Sequence, residues 1–376
     1  MQGLKKFGLT LLVFSLMTLA AGTGWAATAP AAIKVSGTAL DFETQKPNND
    51  AAFHDGLLFG LQASGADVYY NYSGQQAFTL PPNILPISEY SGQRAVVKDT
   101  ATGLYGYINT KGNIAIPCQY ASAGEFSDGI AHVTLKDKGA SAEALIDRQG
   151  KTVTSLTEHY DSDFYFSEGL AAAYAPSGSG LIGYINTAGK LAIPYKYFSH
   201  SRSFSEGLAL VENSAGLYGY IGTSGQTVIP FKYQSGGDFS EGLAAVQNAK
   251  GKWGFIDRKG KVVIPFKYAN SGNFSEGLAH VYNDSGKVGF INTQGKLVIG
   301  YQKYNRAFGF KEGIALVGIS NSSDNSKDKY GYINTKGELL TKLIYSGESS
   351  SFSGGYAVGV IDIGTAYILS KQTLTK

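Results

Sequence analysis

Between Lys252 and Val281 the chain reads KWGFIDRKGKVVIPFKYANSGNFSEGLAHV, and most of the remaining sequence is a looser copy of that stretch. Self-copying leaves little freedom of fold. Each copy has to close its own local hairpins, and it becomes stable by burying its faces on the copies before and after it. Counted at one glycine slot, through Gly106, Ala144, Gly183, Gly219, Gly254, Gly289, Gly331 and Ala366, the spacings are 38, 39, 36, 35, 35, 42 and 35.

Every good copy carries three strand-like runs. In the reference copy the second is Trp253 to Asp257 and the third Lys261 to Tyr268, while Leu278 to Val281 opens the next copy after a Ser-Glu-Gly turn. Between the second and third runs lies Asp257-Arg258-Lys259-Gly260, matched by Asn109 to Gly112, Asp147 to Gly150, Asn186 to Gly189, Asn292 to Gly295 and Asn334 to Gly337. An Asx residue followed three positions later by Gly predicts a type I turn with a G1 bulge, because Asx caps the turn and Gly takes positive φ cheaply. Pro265 recurs as Pro117, Pro194 and Pro230, eleven residues after the strand-two glycine, and gives way to Gly300 in the next copy. Proline cannot donate to a ladder, so strand three is expected at a sheet edge or bent at that point. The strand-two glycine is expected to make room for an aromatic of the adjacent repeat. Strand three is expected to place Val262, Ile264, Phe266 and Tyr268 on one face, and the blurred alternation of strand two predicts a sheet covered on both sides.

These residues resemble the WG-repeat family, named for a Trp-Gly pair followed by Phe/Tyr-Ile and an Asx-turn glycine. The likeness spans about Phe53 to Leu369. Trp253-Gly254 is the literal match; Tyr105-Gly106, Tyr218-Gly219 and Tyr330-Gly331 substitute Tyr, Ile182-Gly183 and Val288-Gly289 substitute aliphatics, and Glu143-Ala144 departs from the pattern. The resemblance implies a bacterial envelope or secreted repeat protein acting as an interaction module, and it supplies no catalytic residues.

The N-terminus places Lys5 and Lys6 before an apolar run from Phe7 to Ala21 and the small-residue segment Gly24-Trp25-Ala26-Ala27. That order predicts a secretory signal over residues 1–26, cleaved after Ala26, and a secreted or cell-surface protein with no stable membrane insertion once the signal is gone. Residues 27–50 read as a flexible leader and 51–376 as the repeat domain, with eight to nine units of which the first two are degenerate. Two of the 32 basic residues lie in the signal, so 30 remain against 29 acidic ones, and no basic stripe points to nucleic acid. Cys118 is the single cysteine, so the core rather than disulfides must hold the fold. It occupies a slot filled elsewhere by Tyr195, Phe231, Phe266 and Tyr301, which predicts a packing role.

The recurring acids Asp128, Glu168, Glu206, Glu241, Glu276 and Glu312 stand once per turn with no multi-acid loop, so they read as acceptors for turn N–H groups rather than as a cation site. His132 and His280 share a slot that other copies fill with Ala172, Leu210 or Ala245, and His54, His159 and His200 keep no ligand spacing. No metal site and no cofactor are assigned. The acids Glu143, Glu158, Asp161, Asp163 and Asp362 stand outside the repeat pattern, yet their spacing singles out no hydrolytic pair. Insertions gather in the hairpin joining strands one and two, at Leu135 to Ser141, Pro176 to Gly180 and Ser320 to Lys329, which marks that rim as the candidate binding face.

The fold expected is all-β: tandem three-stranded antiparallel units of about 35 residues in a propeller-like ring, with an open superhelical array as the alternative. Nine turn sites, from Phe53, Tyr90, Phe126, Phe166, Phe204, Phe239, Phe274, Phe310 and Phe352, exceed the usual four to eight blades. The last unit lacks a third strand, and Ile33-Lys34-Val35 of the leader is the candidate to supply it. The function expected is that of a monomeric, non-catalytic scaffold binding a protein or cell-envelope component. A carbohydrate-binding module, with cell-wall polysaccharide as its partner, and a glycan hydrolase are the alternatives.

Overall fold

The computed structural model of the chain describes residues 33–34, 38–39, 51–62, 66–136, 142–156, 164–176, 178–198, 202–320, 327–362 and 365–375. Among them the secondary structure is short antiparallel strands and one terminal helix, Lys371–Leu374. The signal segment lies outside the described residues.

Nine tight hairpins recur among the described residues, at His54–Leu57, Ser91–Arg94, Ser127–Ile130, Ser167–Leu170, Ser205–Leu208, Ser240–Leu243, Ser275–Leu278, Lys311–Ile314 and Ser353–Tyr356, and they number the units one to nine. In unit six, the Ser240 and Leu243 backbones exchange hydrogen bonds of 2.9 and 3.2 Å. Glu241 and Gly242 between them have φ of 55° and 78°, the left-handed pair that a two-residue type I′ hairpin requires. The turn therefore joins two strands rather than simply preceding one. A short leading strand, Ser235–Gly236, pairs with Leu243–Gln247, so this unit has four strands where three were expected. Glycine and serine give that leading strand no hydrophobic pattern to read.

Strands one, two and three of unit six are Leu243–Gln247, Trp253–Asp257 and Val262–Tyr268. The Asx turn between the last two forms as its residues dictate: Gly260 has φ of 78°, and Asp257 Oδ1 accepts from the Lys259 and Lys261 N–H groups, both at 2.9 Å. Trp253 pairs with Tyr268 and Phe255 with Ile264, so strand three carries extra residues opposite Gly254. Pro265 sits in that bulge at the sheet's outer edge, where its missing N–H costs no ladder bond.

The bulge corrects two expectations. A Cβ on Gly254 would lie 2.7 Å from the Ile264 carbonyl oxygen and 3.0 Å from the Phe266 ring and backbone nitrogen. The glycine thus makes room for the bulged strand of its own unit, not for a neighbour's aromatic. The extra residues also turn Phe266 over: Ile264 and Tyr268 pack towards unit seven, whereas Phe266 packs against the core shared with unit five, and Val262 is exposed. Unit three supplies the counter-example. There the slot holds Ala144, strand three Thr152–Leu156 has no proline, and Ala144 faces Ser155 directly. The remaining register shift lies further along, between Leu145 and Ile146; where no bulge stands opposite the slot, the glycine is not needed.

Strand two buries both faces, as expected: Phe255 joins the core with unit seven and Ile256 the core with unit five. Nine such clusters each join two consecutive units. In most, the aromatic before the turn reaches back onto the strand-two aromatic of the preceding unit, as in Tyr220–Phe239 at 4.9 Å and Phe255–Phe274 at 4.9 Å between centroids. Such pairs contribute about 0.5–1.5 kcal/mol beyond the area they bury.

The ninth cluster joins the ends of the array. Phe53, Leu58 and Val68 of unit one pack with Val358, Val360 and Ile368 of unit nine, and Ala51 bridges Ser349 in parallel. Ile33–Lys34 pairs with Ile368 and Tyr367 as the third strand of unit nine; Val35 lies outside the described residues. Thr38–Ala39 then pairs with Gln62 and Leu61, in the place of a leading strand for unit one. The start of the chain therefore steps from one unit to the next as every other connection does. The array is a closed, propeller-like ring of nine units, and the open superhelix is set aside. Units one and two, degenerate in sequence, are both four-stranded, and Ile114–Ala123 serves unit two as third strand and unit three as leading strand.

Candidate functional site

The side chains that recur most regularly are engaged with the neighbouring unit. Ser205, Ser240 and Ser275 donate through Oγ to the carbonyls of Phe239, Phe274 and Phe310 at 2.6–2.8 Å. The Glu168 carboxylate accepts from Gly207 N–H at 2.8 Å, Glu206 from Gly242 at 3.0 Å, Glu241 from Gly277 at 2.9 Å, and Glu312 from Gly355 at 2.8 Å. Asp128 does the same for Gly169, and Glu276 for Gly313. The acids are acceptors for turn N–H groups, but of the next unit's turn rather than their own. A belt of turns stapled one to the next follows from one Ser and one Glu per repeat.

His132 and Glu143, separate oddities in the sequence, meet. Their side chains lie 3.0 Å apart, both buried. Glu143 takes the slot before the strand-two glycine position, where unit six has Trp253, and the Phe164 ring sits 4.8 Å from His132. Cross-strand geometry was the missing signal, since residue 134 pairs with 143 and places 132 diagonally beside it. His280 is enclosed without such a partner, and burial lowers its pKa from 6.5 to about 4. Cys118 is half-buried beside the core of units one and two, and burial pushes its thiol up. Among the described residues, no group of three His, Cys, Asp or Glu side chains is placed to hold a metal ion. Also among them, no helix is long and apolar enough to cross a membrane. His159, His200, Glu158, Asp161 and Asp163 lie outside the described residues, as do parts of the three insertion segments, residues 137–141, 177 and 321–326.

The hairpins joining strands one and two nonetheless define a rim. In units five to seven they are Asn-x-x-Gly turns, with Asn213, Asn248 and Asn283 Oδ1 each accepting two backbone N–H groups. Lys252 of one such hairpin forms an ion pair with Asp284 of the next, so successive hairpins are neighbours.

A cleft of about 650 Å³ opens at the closing junction, between the leading segments of units eight, nine and one. Phe308, Lys311, Glu348 and His54 line it together with the serines from Ser349 to Ser353. Glu348 is the one carboxylate among the described lining residues. The cleft offers a cation, an anion, hydroxyls and the exposed ring of Phe308.

The family described as WG containing repeat matches residues 105–138, 182–214, 218–253, 253–286, 289–321 and 330–358, more than half of the chain. The chain belongs to the WG containing repeat family. The six matched segments all begin at or within a few residues of strand two, so the family's unit straddles two structural units of this WG-repeat ring. No curated protein sequence matches the chain. Among solved structures it is similar to a eukaryotic initiation factor, with a TM-score of 0.54 and 13% identity over 79% of this chain and 86% of that one. The computationally designed protein Ika8 is also similar, with a TM-score of 0.50 and 15% identity over 89% of this chain and 100% of that one. At such identities the likeness concerns the fold alone.

Proposed function

We propose that this WG-repeat ring is a secreted or cell-surface, non-catalytic scaffold that binds a protein or another component of the cell envelope. One observation carries the reading. The repeated Ser, Glu and aromatic side chains are engaged in joining unit to unit, while differences in unit length gather in the hairpins of one rim. A rigid ring with a variable rim is the arrangement in which binding is separated from folding. Secretion is supported by the charged, apolar and small-residue order of residues 1–26.

The test has two arms. Expression of the full chain followed by fractionation and N-terminal sequencing is expected to find a mature protein beginning at Ala27 outside the cytoplasm; an intact Met1 form in the cytoplasm contradicts the reading. The purified ring is then incubated with washed envelope fractions and the bound material identified. Specific retention is expected, and it should fall when the 137–141 and 321–326 segments are replaced by four-residue Asn-x-x-Gly turns copied from units five to seven. Retention unchanged by both replacements removes the rim from the proposal.

A further inference from the structure

We infer that the groove between units six and seven is a binding subsite for an acidic sugar, a pyranose ring bearing a carboxylate. The inference rests on the surface-binding reading above and names one ligand class for it.

Three departures from the repeat converge on that groove. In units four to six the residue after the Pro slot is Tyr195, Phe231 or Phe266, partly buried. In unit seven the proline is replaced by Gly300, and the run from Ile299 to Tyr304 is one residue longer than that from Ile264 to Tyr268. Val288 now bonds Gln302 and Tyr304 across the enlarged bulge, and Tyr301 is 37% exposed. On the facing hairpin, Asp284 stands where units six and five have Ala249 and Ser214. The result is an open groove of about 310 Å³ with Lys267 and Tyr268 on one wall and Asn283, Asp284, Leu297 and Tyr301 on the other. The lower limit for small-ligand sites is about 300 Å³.

The groups fit one chemistry. An exposed tyrosine face accepts the C–H face of a sugar ring, and a phenol, a carboxylate and an amide provide donors and acceptors for hydroxyls. Burial raises the Tyr301 pKa, with Tyr268 and Asp284 adding to the shift and Lys267 opposing it, so the hydroxyl stays a donor. Charge selects the acid form. Asp284 is already paired with Lys252, whereas Lys267 is exposed, lies 5.2 Å from the centroid of the Tyr268 ring, and has no ion-pair partner among the described residues. A ligand carboxylate on Lys267 would complete the groove's charge balance. The neighbouring grooves are internal controls: Lys232 and Tyr233 recur, but Phe266 packs 6.5 Å from Tyr233 and Ala249 offers no side-chain acceptor.

The experiment titrates the intact mature chain by calorimetry with galacturonate, tetragalacturonate and fully methyl-esterified tetragalacturonate. The acid tetrasaccharide is expected to bind, and methyl esterification, Lys267→Met and Tyr301→Ala each to weaken it about tenfold. Lys232→Met should leave affinity unchanged. Each variant's thermal melt is recorded, and the three side chains substituted are exposed. Monosaccharide affinity equal to that of the tetrasaccharide assigns the site to a free acidic sugar; stronger tetrasaccharide binding assigns it to a polymer. Absence of binding at about 10 mM acid sugar, or binding insensitive to Lys267→Met and Tyr301→Ala, overturns the inference. A Lys267→Met/Tyr301→Ala double variant is run in the envelope assay alongside: full retention there, with no acid-sugar binding by the parent, sinks the sugar site and leaves the scaffold reading standing.

Discussion

Replacing Gly254 by alanine puts the fold's internal logic to a quantitative test. Its backbone is not left-handed, so an added methyl carries no dihedral penalty of its own. The methyl would instead stand 2.7 Å from the Ile264 carbonyl oxygen and 3.0 Å from the Phe266 nitrogen, and backbone atoms cannot rotate away as a flexible side chain does. Relief requires moving the bulge that directs Phe266 into one core and Tyr268 into the next. Overpacking of this kind costs about 1–3 kcal/mol, and two fixed backbone neighbours place Gly254→Ala at the upper end. Loss of unfolded-state freedom returns about 0.4–1 kcal/mol, leaving about 2 kcal/mol net. Gly242 is the contrasting position: φ is 78° and nothing lies within 4 Å of its added methyl, so its alanine variant costs only the left-handed penalty of about 1–2 kcal/mol less the same return. Urea melts of the two variants should therefore rank Gly254→Ala as the more destabilised. A Gly254→Ala midpoint at or above that of Gly242→Ala would refute the assignment of this glycine to the bulge.

Three further outcomes follow from the same structure. Glu241→Gln removes a charged acceptor from the Gly277 N–H; because the carboxylate is exposed, the loss should be about 0.5–1 kcal/mol in a urea melt, and a stabilised variant would contradict the staple. His280 is held neutral with its pKa near 4 against 6.5 in the unfolded chain. The unfolded state therefore takes up the proton first, and stability declines as pH falls from about 6.5 towards 4. The decline is at most about 3 kcal/mol, less because part of the ring keeps contact with water. His280→Leu should flatten that part of the profile, and an unchanged pH dependence would exclude His280 as its source. Deleting residues 27–40 removes strands from both sides of the closing junction and should lower the circular-dichroism melt; an unchanged melt counts against closure by the leader.

Most of the ring was legible because its causes are local. An Asx followed by Gly at three, a proline eleven residues after a glycine, and an aromatic before Ser-Glu-Gly each act within one unit, so the sequence order shows them directly. The leading strand was hidden because two residues such as Ser235 and Gly236 pair through their backbones and carry no hydrophobic pattern. The partner of the turn acids was hidden for a different reason. Glu241 and the Gly277 N–H are 36 positions apart, and only the stacking of units brings them together. His132 stood in a variable slot and Glu143 outside the repeat pattern, and only cross-strand register shows that they meet. Phe266 was assigned to the wrong face because period-two counting fails across a bulge. The groove at Tyr301 was equally out of reach, since it depends on one extra residue in a bulge whose existence the alternation did not reveal.

The central claim is a ring of nine units closed by the start of the chain, and a cross-link tests it most directly. Ile33 and Ile368 are register partners across the last sheet, and antiparallel partners lie about 4.5–5.5 Å apart at Cα, within disulfide reach. In a Cys118→Ala background, Ile33→Cys/Ile368→Cys should oxidise within one chain and migrate faster on a non-reducing gel. The bond closes nearly the whole chain, for which loop entropy allows up to about 5–6 kcal/mol, so the oxidised form should also melt higher than the reduced one. A closed ring predicts intramolecular oxidation at low protein concentration together with that rise. A free-thiol product, or disulfides formed only between chains, would contradict closure.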